Sequence, residues 1–306
     1  MAPEVLSLTQ NYDEVSKFLE QIGELIAKPK RRAGVDFTPI KRVSPGAVLL
    51  LAATLDMWQR LKRISLRARD VDHWAPEVRR TFIEIGLFDL LRTANPPQGP
   101  HVSEGPVRML RLRSGEGSDG SLAVELTRAM TEIAGPIDAQ PYLYAGLTEA
   151  MTNVAQHAYP KDTFAGVPAN YRRWWMTGSY HQINRSMRIL ILDLGVGIPA
   201  TLPNSGLWET IRSLLAQISG SNDADMIAAA VEAGRTSTGQ AGRGYGLYEV
   251  RQFVEQSASG RLRILSGQGE VIYEKGHERP MKRTLSFPIG GTLIEWEVLR
   301  YHEEER

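Results

Sequence analysis

The chain contains 306 residues, of which 42% are hydrophobic and 23% charged, a composition typical of folded globular proteins rather than disordered or collagen-like ones. It has no cysteine, which excludes disulfides, thiolate zinc sites, iron–sulfur clusters and cysteine nucleophiles, and which favours a cytoplasmic location. The formal net charge is only +1, so the chain as a whole attracts nucleic acid or an anionic membrane only weakly.

Membrane segments are not expected. The longest strongly apolar run covers residues 47–55, whereas a helix that crosses a bilayer needs about 20 apolar residues. Met1 is followed by Pro3, Glu4 and polar residues, without the basic and then apolar stretches of a secretory signal. We therefore expect neither a transmembrane helix nor a signal peptide.

A proline- and glycine-rich stretch, residues 93–106, divides the chain. Because proline fixes φ and removes a hydrogen-bond donor, such a stretch predicts an extended linker. The predicted domains are therefore residues 1–95 and 107–306, joined by a linker over 96–106. Helical and strand patterns alternate in both parts, which predicts a two-domain protein of the α/β class.

The N-terminal part begins with a helix whose apolar residues recur at helical spacing from Val15 to Ile26. The elements predicted after it are a strand over Val35–Val43, a helix from Pro45 to Leu61, a strand over Ile64–Val71 and a helix over Glu77–Leu91. Residues 28–69 hold eleven lysines or arginines and only two acids. This segment could dock an acidic partner or nucleic acid, or form a solvated basic face.

The C-terminal part mixes strands and helices in the same way. The predicted helices are 122–134, 141–158, 207–218, 223–233 and 248–256, and the predicted strands are 107–112, 173–180, 187–192, 262–266, 271–274 and 292–299. The run Ile189 to Leu192 is apolar throughout, which predicts a strand that is buried on both faces.

The helix predicted over 141–158 carries Glu149, Asn153 and His157 on one face and apolar residues on the other. A carboxylate can take a proton from water or an alcohol, and an amide oxygen is a suitable ligand for Mg²⁺. The spacing is therefore compatible with a catalytic face, but by itself it favours a solvated polar face.

Asp193 follows the predicted buried strand and precedes Gly195 and Gly197. A carboxylate at a strand end can accept from an exocyclic amine while a flat ring lies against the glycine backbone. A turn capped by aspartate is the alternative. The segment also partly matches a dinucleotide-binding fingerprint, but Pro199 interrupts that spacing.

Five glycines occur in residues 234–246, and this stretch ends in Gly242-Arg243-Gly244-Tyr245-Gly246-Leu247 at the start of a predicted helix. Closely spaced glycines let backbone N–H groups approach phosphate oxygens, and a helix N-terminus favours an anion. Arg243 adds a charge-assisted donor, although a surface loop would show the same composition. Thr292 follows Gly290-Gly291 into the last strand, where it could hydrogen-bond near Asp193.

The order of these four motifs resembles the GHKL ATPases, the superfamily of gyrases, ninety-kilodalton heat-shock chaperones, histidine kinases and mismatch-repair ATPases. The resemblance covers roughly residues 107–298. It implies a Bergerat α/β sandwich that binds ATP and Mg²⁺, with Glu149 as the general base and Asn153 as the Mg²⁺ ligand. The residues that it implies for nucleotide binding are Asn153, His157, Asp193, Gly195, Gly197, Gly242, Arg243, Gly244, Gly246, Leu247 and Thr292. In that set, Asp193 would bind the adenine amine and Thr292 would support the adenine through water.

Within the superfamily, residues 147–153 followed by His157-Ala158-Tyr159 are most similar to the anti-sigma-factor serine kinases of bacteria. Histidine kinases carry a phosphoacceptor histidine upstream of the nucleotide motifs. His73 and His101 are the upstream histidines here, and neither has the surroundings of an acceptor. Autophosphorylation on histidine is therefore not expected.

The N-terminal part is similar to a STAS domain, the class of antagonist that partners such kinases. The similarity lies in Val35-Asp36-Phe37, in residues 43–47 and in residues 78–89. It implies a small α/β layer and places Ser44 at the phosphorylated serine of the antagonists. Because Pro45 follows directly and no acid precedes Ser44, a helix cap is the favoured role for Ser44.

These observations predict a regulatory protein that binds ATP and Mg²⁺ and either hydrolyses ATP or transfers its phosphate to a protein serine or threonine. It would act as a nucleotide-dependent switch on a regulatory, STAS-like or sigma-type protein partner, with a homodimer as a further option. Two alternatives stay open. One is a nucleotide sensor without catalysis, and the other is an ATPase associated with nucleic acid through the basic segment.

Overall fold

The computed structural model describes residues 2–27, 32–62, 65–91, 105–165, 167, 169–218, 222–236 and 246–299. The chain is a mixed α/β protein with a large antiparallel sheet. It divides into two compact units, Met1–Leu112 with Thr177–Ile183, and Arg113–Met176 with Asn184–Arg306. Most of the predicted linker, residues 96–104, lies outside the described residues. Within the described residues, no helix has the length and apolar character needed to cross a membrane.

In the part that the structure describes, the first unit contains two small parallel strand pairs, four α-helices, a short 3-10 helix over Val71–His73 and a strand, β5, that pairs antiparallel with residues 179–181. Its elements in chain order are β1 Val5–Leu6, α1 Tyr12–Ala27, β2 Arg32–Asp36, β3 Arg42–Val43, α2 Pro45–Lys62, β4 Ser65–Arg69, α3 Pro76–Ile85, α4 Leu87–Leu90 and β5 Val107–Met109. Strand β1 pairs with β3, and β2 pairs with β4. The core contains a cluster of aromatic rings, in which Phe37, Trp74 and Phe82 have centroids 5.2 to 5.9 Å apart.

Two predicted elements of this unit are interrupted. The strand predicted over Val35–Val43 is two short strands, because Oδ1 of Asp36 accepts the Thr38 N–H at 2.8 Å and turns the chain. The helix predicted over Glu77–Leu91 breaks at Gly86, which has a φ of +84°. Ser44 lies directly before α2, and its carbonyl accepts the Val48 N–H at 3.0 Å.

The second unit is built on an antiparallel sheet. Its elements are β6 Arg113–Gly115, α5 Gly120–Ala134, α6 Gln140–Asn153, a π-helical turn Val154–Ala158, β7 Trp174–His181, β8 Ser186–Asp193, α7 Ile198–Thr201, α8 Trp208–Leu215, α9 Asp223–Thr236, α10 Gly246–Gln256, β9 Arg261–Ser266, β10 Gly269–Glu274, β11 Met281–Thr284 and β12 Thr292–Leu299. The boundary between the units falls inside β7, and the part of β7 from Thr177 onward belongs to the first unit.

The strand order in the second unit is β11-β10-β9-β12-β8-β7, with β6 paired to the start of β7. Strand β12 lies between β8 and β9, and its first residue, Thr292, is opposite both Asp193 and Ser266. Residues Ile189 to Leu192 of β8 are at most 2% exposed, which confirms the predicted buried strand. This register brings the ends of three strands together.

Helices α6 and α10 meet at Trp296 of β12. The Trp296 indole N–H donates to the carbonyl of Val250 on α10 at 2.6 Å. A Cβ at Gly146 of α6 would lie 3.4 Å from the same indole and 3.5 Å from the Val250 Cα. Glycine at this position therefore allows the two helices to pack closely beside the central strand.

A chain of ion pairs of alternating sign crosses five strands of the sheet. The side chains that form it are Arg283, Glu270, Arg263, Glu295 and Arg188, with N–O distances of 2.5, 2.6, 3.4 and 3.7 Å along the series. The middle three are only 5% exposed. Because each of these buried charges has a partner of opposite sign, the chain of pairs favours one register of the strands.

Candidate functional site

Asp193 is the last residue of β8 and is 5% exposed. Its carboxylate accepts the Gly195 N–H at 2.8 Å and is also hydrogen-bonded by the backbone and side chain of Thr292. Burial dominates over these hydrogen bonds and raises the pKa of Asp193 to about 7. The strand end therefore holds a buried acceptor that is costly to ionise unless a further donor reaches it.

The loop after Asp193 is shaped by its glycines. A side chain at Gly195 would overlap the carbonyl of Ala158, which accepts the Val196 N–H at 2.9 Å. Gly197 has a φ of +85°, and a Cβ there would lie 2.8 Å from the Ser266 Oγ. The backbone of the loop therefore packs closely against Ala158 and Ser266, and a side chain at either glycine would disturb this packing.

Tyr159 ties this loop to the sheet. Its hydroxyl donates to the Arg173 carbonyl at 2.6 Å and accepts the Leu194 N–H at 3.1 Å. Burial is the larger cause that raises the pKa of the phenol above its ordinary value, and the charge of the nearby Asp193 raises it further. The sequence motif contained Tyr159, but its spacing gave no sign of this bridging contact.

Helix α6 is shorter than predicted. It ends at Asn153 and continues as the π-helical turn Val154–Ala158, whereas the apolar spacing predicted an α-helix to Ala158. The turn carries the Ala158 carbonyl and Tyr159 to the Asp193 loop. His157 is exposed on this turn. Single π-helical turns are rare and are frequently found at functional sites.

Glu149 and Asn153 lie against the start of α10. A side chain at Gly246 would overlap Oε1 of Glu149, and its Cβ would lie 3.3 Å from the Asn153 Nδ2. Burial raises the pKa of Glu149, the charge of Glu249 raises it further, and the nearby Asn153 amide lowers it in part. The helix N-terminus, the predicted general base Glu149 and the predicted Mg²⁺ ligand Asn153 are therefore neighbours.

The amide nitrogen of Asn153 has no hydrogen bond of normal geometry within the described part of the chain, although the atom is buried. A buried donor without a partner costs about 1–3 kcal/mol. Because amide nitrogen and oxygen are assigned from their hydrogen bonds, the finding is that one polar atom of this amide lacks its partner. An anion beside Gly246 would accept a hydrogen bond from the amide nitrogen.

The remaining predicted residues divide into two sets. Leu247 is half-buried and packs against a small apolar cluster formed by Leu202, Ile211 and three alanines of α9. Gly242, Arg243 and Gly244 lie outside the described residues. Of the predicted phosphate-binding segment 242–247, the structure therefore describes only Gly246 and Leu247.

The structure brings the predicted residues together in two groups that α6 and its π-helical turn connect. Asp193, Gly195, Gly197 and Thr292 lie around Ala158, and Glu149 and Asn153 lie beside Gly246. Ala158 is five residues after Asn153, and the π-helical turn Val154–Ala158 spans this interval. Ser266 and Tyr159 join the first group, and neither had been predicted as a site residue.

Other features of the described residues do not compete with this site. An open cavity of about 350 Å³ lies between α10, β10 and the turn after β10, and it contains no predicted site residue. No group of three or more histidine, cysteine or acidic side chains suitable for a metal ion occurs in the described ranges. A metal at Asn153 would therefore depend on ligands from the substrate, as Mg²⁺ does in many phosphate sites.

Comparison with protein-family models, with curated proteins and with solved structures gives no significant match to this chain. The function proposed below is therefore based on the geometry of the second unit.

Proposed function

We propose that the second unit is a GHKL-type nucleotide-binding domain that binds ATP with Mg²⁺ and splits the terminal phosphate. The single observation that supports this most strongly is that distant stretches of the chain form two groups, Asp193 with Thr292 and Asn153 with Gly246, which α6 and its π-helical turn connect. The proposed fold is the Bergerat α/β sandwich, in which α6 and α10 cover the sheet beside β12.

The base would bind at Asp193. A buried carboxylate with a pKa near 7 gains from a donor such as the adenine 6-amine, because a donor stabilises its charged form. The backbone of Gly195 and Gly197 forms the surface on which the ring would lie. Thr292 holds the carboxylate from the side of β12.

The phosphates would bind at the start of α10. This helix has eleven residues, and its N-terminus favours an anion. The side-chain amide of Asn153, whose buried nitrogen makes no hydrogen bond of normal geometry in the described residues, lies next to it. Asn153 fits Mg²⁺ through its amide oxygen, and a bound Mg²⁺ would neutralise charge on the phosphate oxygens.

Glu149 would take the proton from the attacking group. Its raised pKa brings this carboxylate closer to neutral pH, where a general base is most effective. The acceptor is water if ATP is hydrolysed, or a serine or threonine hydroxyl of a partner protein if the phosphate is transferred. Both reactions need the same base and the same neutralised phosphates.

Binding is tested by calorimetry with ATP and Mg²⁺. We expect Asp193→Ala to abolish measurable binding, because the amine of the base then has no acceptor in a buried site. Asp138→Ala removes an exposed carboxylate and should bind ATP like the wild type. Equal affinity in Asp193→Ala and the wild type would remove the base site from the proposal.

Catalysis is tested by following released phosphate and labelled protein from radiolabelled ATP. Glu149→Gln should keep ATP binding and lose both products, whereas Glu132→Gln, an exposed change on α5, should keep them. Undiminished turnover in Glu149→Gln would place the general base elsewhere. If the wild type binds ATP tightly but forms neither product, the protein is a nucleotide sensor and not an enzyme.

The proposed role is that of a switch for a protein partner. Leu247 directly follows Gly246 and packs into the apolar cluster that includes residues of α8 and α9. A nucleotide that binds at the start of α10 would therefore change the packing of Leu247 against these two helices. A STAS-like or sigma-type regulatory protein that reads this change is the partner class that we propose.

A further inference from the structure

Strand β11, Met281–Thr284, forms an edge of the sheet in the second unit. Its four residues are exposed. In the described part of the chain, it pairs with β10 on one side and with no strand on the other. An open edge presents backbone N–H and C=O groups that an added strand can use. This edge is therefore a surface on which an extended segment of another protein could bind.

The strand register shows which backbone groups of β11 point outward. The Leu285 N–H donates to the carbonyl of Gln268, the next residue in register, at 2.7 Å. Hydrogen-bonded and non-hydrogen-bonded pairs alternate along an antiparallel pair, so Arg283 also bonds to β10 through its backbone. The backbone N–H and C=O groups of Lys282 and Thr284 therefore point away from β10, towards the position of an added strand.

The chain of ion pairs that crosses the sheet ends at this edge with a cation. Arg283 lies opposite Glu270, and its Nε is 2.5 Å from Oε2 of Glu270. Glu270 also pairs with the buried Arg263 at 2.6 Å, so two arginines share one carboxylate. The Arg283 side chain is half-exposed, and no second acid lies at ion-pairing distance from it in the described ranges. The alternation of sign therefore favours an acid on any strand added next to β11.

We propose that the β11 edge binds an extended acidic segment of a partner protein by strand addition. The segment adds as an antiparallel strand, which is slightly more stable than a parallel one, and bonds to the backbone of Lys282 and Thr284. Because the Arg283 backbone bonds to β10, the residue opposite it on the added strand belongs to a non-hydrogen-bonded pair, in which side chains lie closest. A glutamate or aspartate at that position continues the alternation of charges.

Met281 gives the bound segment a second requirement. Side chains alternate between the two faces of a strand, so Met281 shares a face with Arg283, and it is 53% exposed. Lys282 points to the other face, where it pairs with Asp225 of α9 at 2.6 Å. On an antiparallel strand, the residue opposite Met281 comes two positions after the acid. The recognised segment therefore has an acid followed two residues later by an apolar side chain.

The charges of β11 oppose its pairing with a second copy of this chain. Antiparallel pairing about a twofold axis that uses the whole strand places either Arg283 or Lys282 opposite its own counterpart. Like charges directly opposite each other destabilise a strand pair. An acidic segment of a different protein therefore fits this edge better than the same edge of another copy does.

Peptide binding to the full chain, measured by fluorescence anisotropy, tests the proposal. The probe is a fluorescein-labelled peptide of alternating threonine and valine in which glutamate replaces one central valine, and its counterpart carries glutamine there. We expect the glutamate peptide to bind about threefold more tightly, the size of one cross-strand ion pair. It should also slow amide hydrogen exchange at Lys282 and Thr284. Equal affinities, or slower exchange only elsewhere, would overturn the proposal.

Variants of Arg283 test the role of the opposed charge. Arg283→Gln should lose the preference for the glutamate peptide, and Arg283→Lys should keep it. The matched control is Arg279→Gln, which removes an exposed cation shortly before β11 and should keep the preference. If Arg279→Gln and Arg283→Gln lower the preference equally, the attraction comes from the net charge of the region, and the proposed pairing is wrong.

Thr284→Pro tests the added strand itself. Because the Thr284 N–H points outward, proline removes a donor to the added strand and no bond to β10. Both peptides should bind about fivefold more weakly, the size of one hydrogen bond, whereas Thr284→Val keeps the N–H and should bind them like the wild type. Equal affinities of these two variants would overturn strand addition.

Two further measurements cover the remaining outcomes. If Thr284→Pro does not fold, a glutamate peptide N-methylated at the two threonines beside the glutamate removes the equivalent donors from the wild-type complex, and should also bind more weakly. Sedimentation of the full chain tests for a second copy at the edge. A dimer that Thr284→Pro dissociates would assign the edge to self-association and overturn the proposal.

Discussion

Gly246 at the start of α10 lies so close to Glu149 of α6 that any side chain at position 246 would overlap the carboxylate oxygen Oε1. Only the far end of a flexible side chain stands in the way. A substitution at Gly246 would therefore move the carboxylate and leave the two helices in place. A substitution at Gly246 therefore changes the proposed catalytic carboxylate without changing the packing that stabilises the second unit.

Gly246→Ala should therefore impair turnover without loss of stability. We expect ATP turnover to fall by about tenfold or more, because a displaced base no longer contributes its usual share, and we expect the thermal midpoint to stay equal or rise slightly, because alanine favours a helix over glycine. Gly206→Ala is the control, since a Cβ at Gly206 would meet nothing within 4 Å. Equal turnover in the two variants would contradict the prediction.

Asp193→Asn should change how stability depends on pH. The pKa of Asp193 is about 7 in the folded chain and has its ordinary value of 3.8 in the unfolded chain, so the folded state holds the proton more tightly. Stability then falls as pH rises from about 4 to about 7, by about 4 kcal/mol. The variant lacks this loss and should be more stable than the wild type at pH 8.

Denaturant unfolding at pH 4.5, 6 and 8 measures this difference. Asp138→Asn, which changes an exposed carboxylate, should follow the wild type at each pH. Parallel pH dependence of the wild type and Asp193→Asn would show that Asp193 is not protonated near neutral pH.

Glu249→Gln should move the acidic limb of the pH–rate profile to lower pH. The charge of Glu249 raises the pKa of Glu149, so its removal lowers that pKa and keeps the base ionised in more acidic solution. Glu255→Gln changes a carboxylate on the same helix that pairs with Arg251 and should leave the limb in place. A limb that does not move in Glu249→Gln would exclude Glu149 as the titrating group.

Arg263→Met should destabilise the chain strongly. Arg263 lies between Glu270 and Glu295 in the buried part of the ion-pair series. Its loss removes the buried partner that these two carboxylates share, and leaves each with one more exposed arginine at the end of the series. The expected cost is about 3–5 kcal/mol. Arg212→Met breaks an exposed pair with Glu209 and should cost less than about 1 kcal/mol. Similar unfolding curves for the two variants would contradict the prediction.

Most of the secondary structure follows from local patterns. Helix α2 and strand β8 were predictable because each contains an apolar run, residues 47–55 in the helix and 189–192 in the strand, with Pro45 before the first run and Asp193 after the second. Strand β11 was missed because all four of its residues are exposed, so no burial pattern marks it. Its position depends on pairing with β10, and no local sequence pattern predicts that pairing.

The proposed site could be predicted only in part. Asp193 and Glu149 stand in motifs with a recognisable order, whereas Ser266 ends a strand without any such signal. Its contacts with Ile198 and Thr292 arise from the strand register. The end of α6 was also unpredictable, because a π-helical turn and an α-helix share the same apolar spacing over so few residues.

That π-helical turn gives the chain a particular sensitivity to length. A π-turn holds one more residue per hydrogen-bonded ring than an α-helix does, so deleting one residue within Val154–Ala158 would permit a continuous α-helix. The more regular helix would rotate Ala158 and Tyr159 about the helix axis. The Val196 N–H would then lose the Ala158 carbonyl as its acceptor, and the Arg173 carbonyl would lose the Tyr159 hydroxyl as its donor. Insertions and deletions, more than substitutions, are thus the changes that this segment tolerates least.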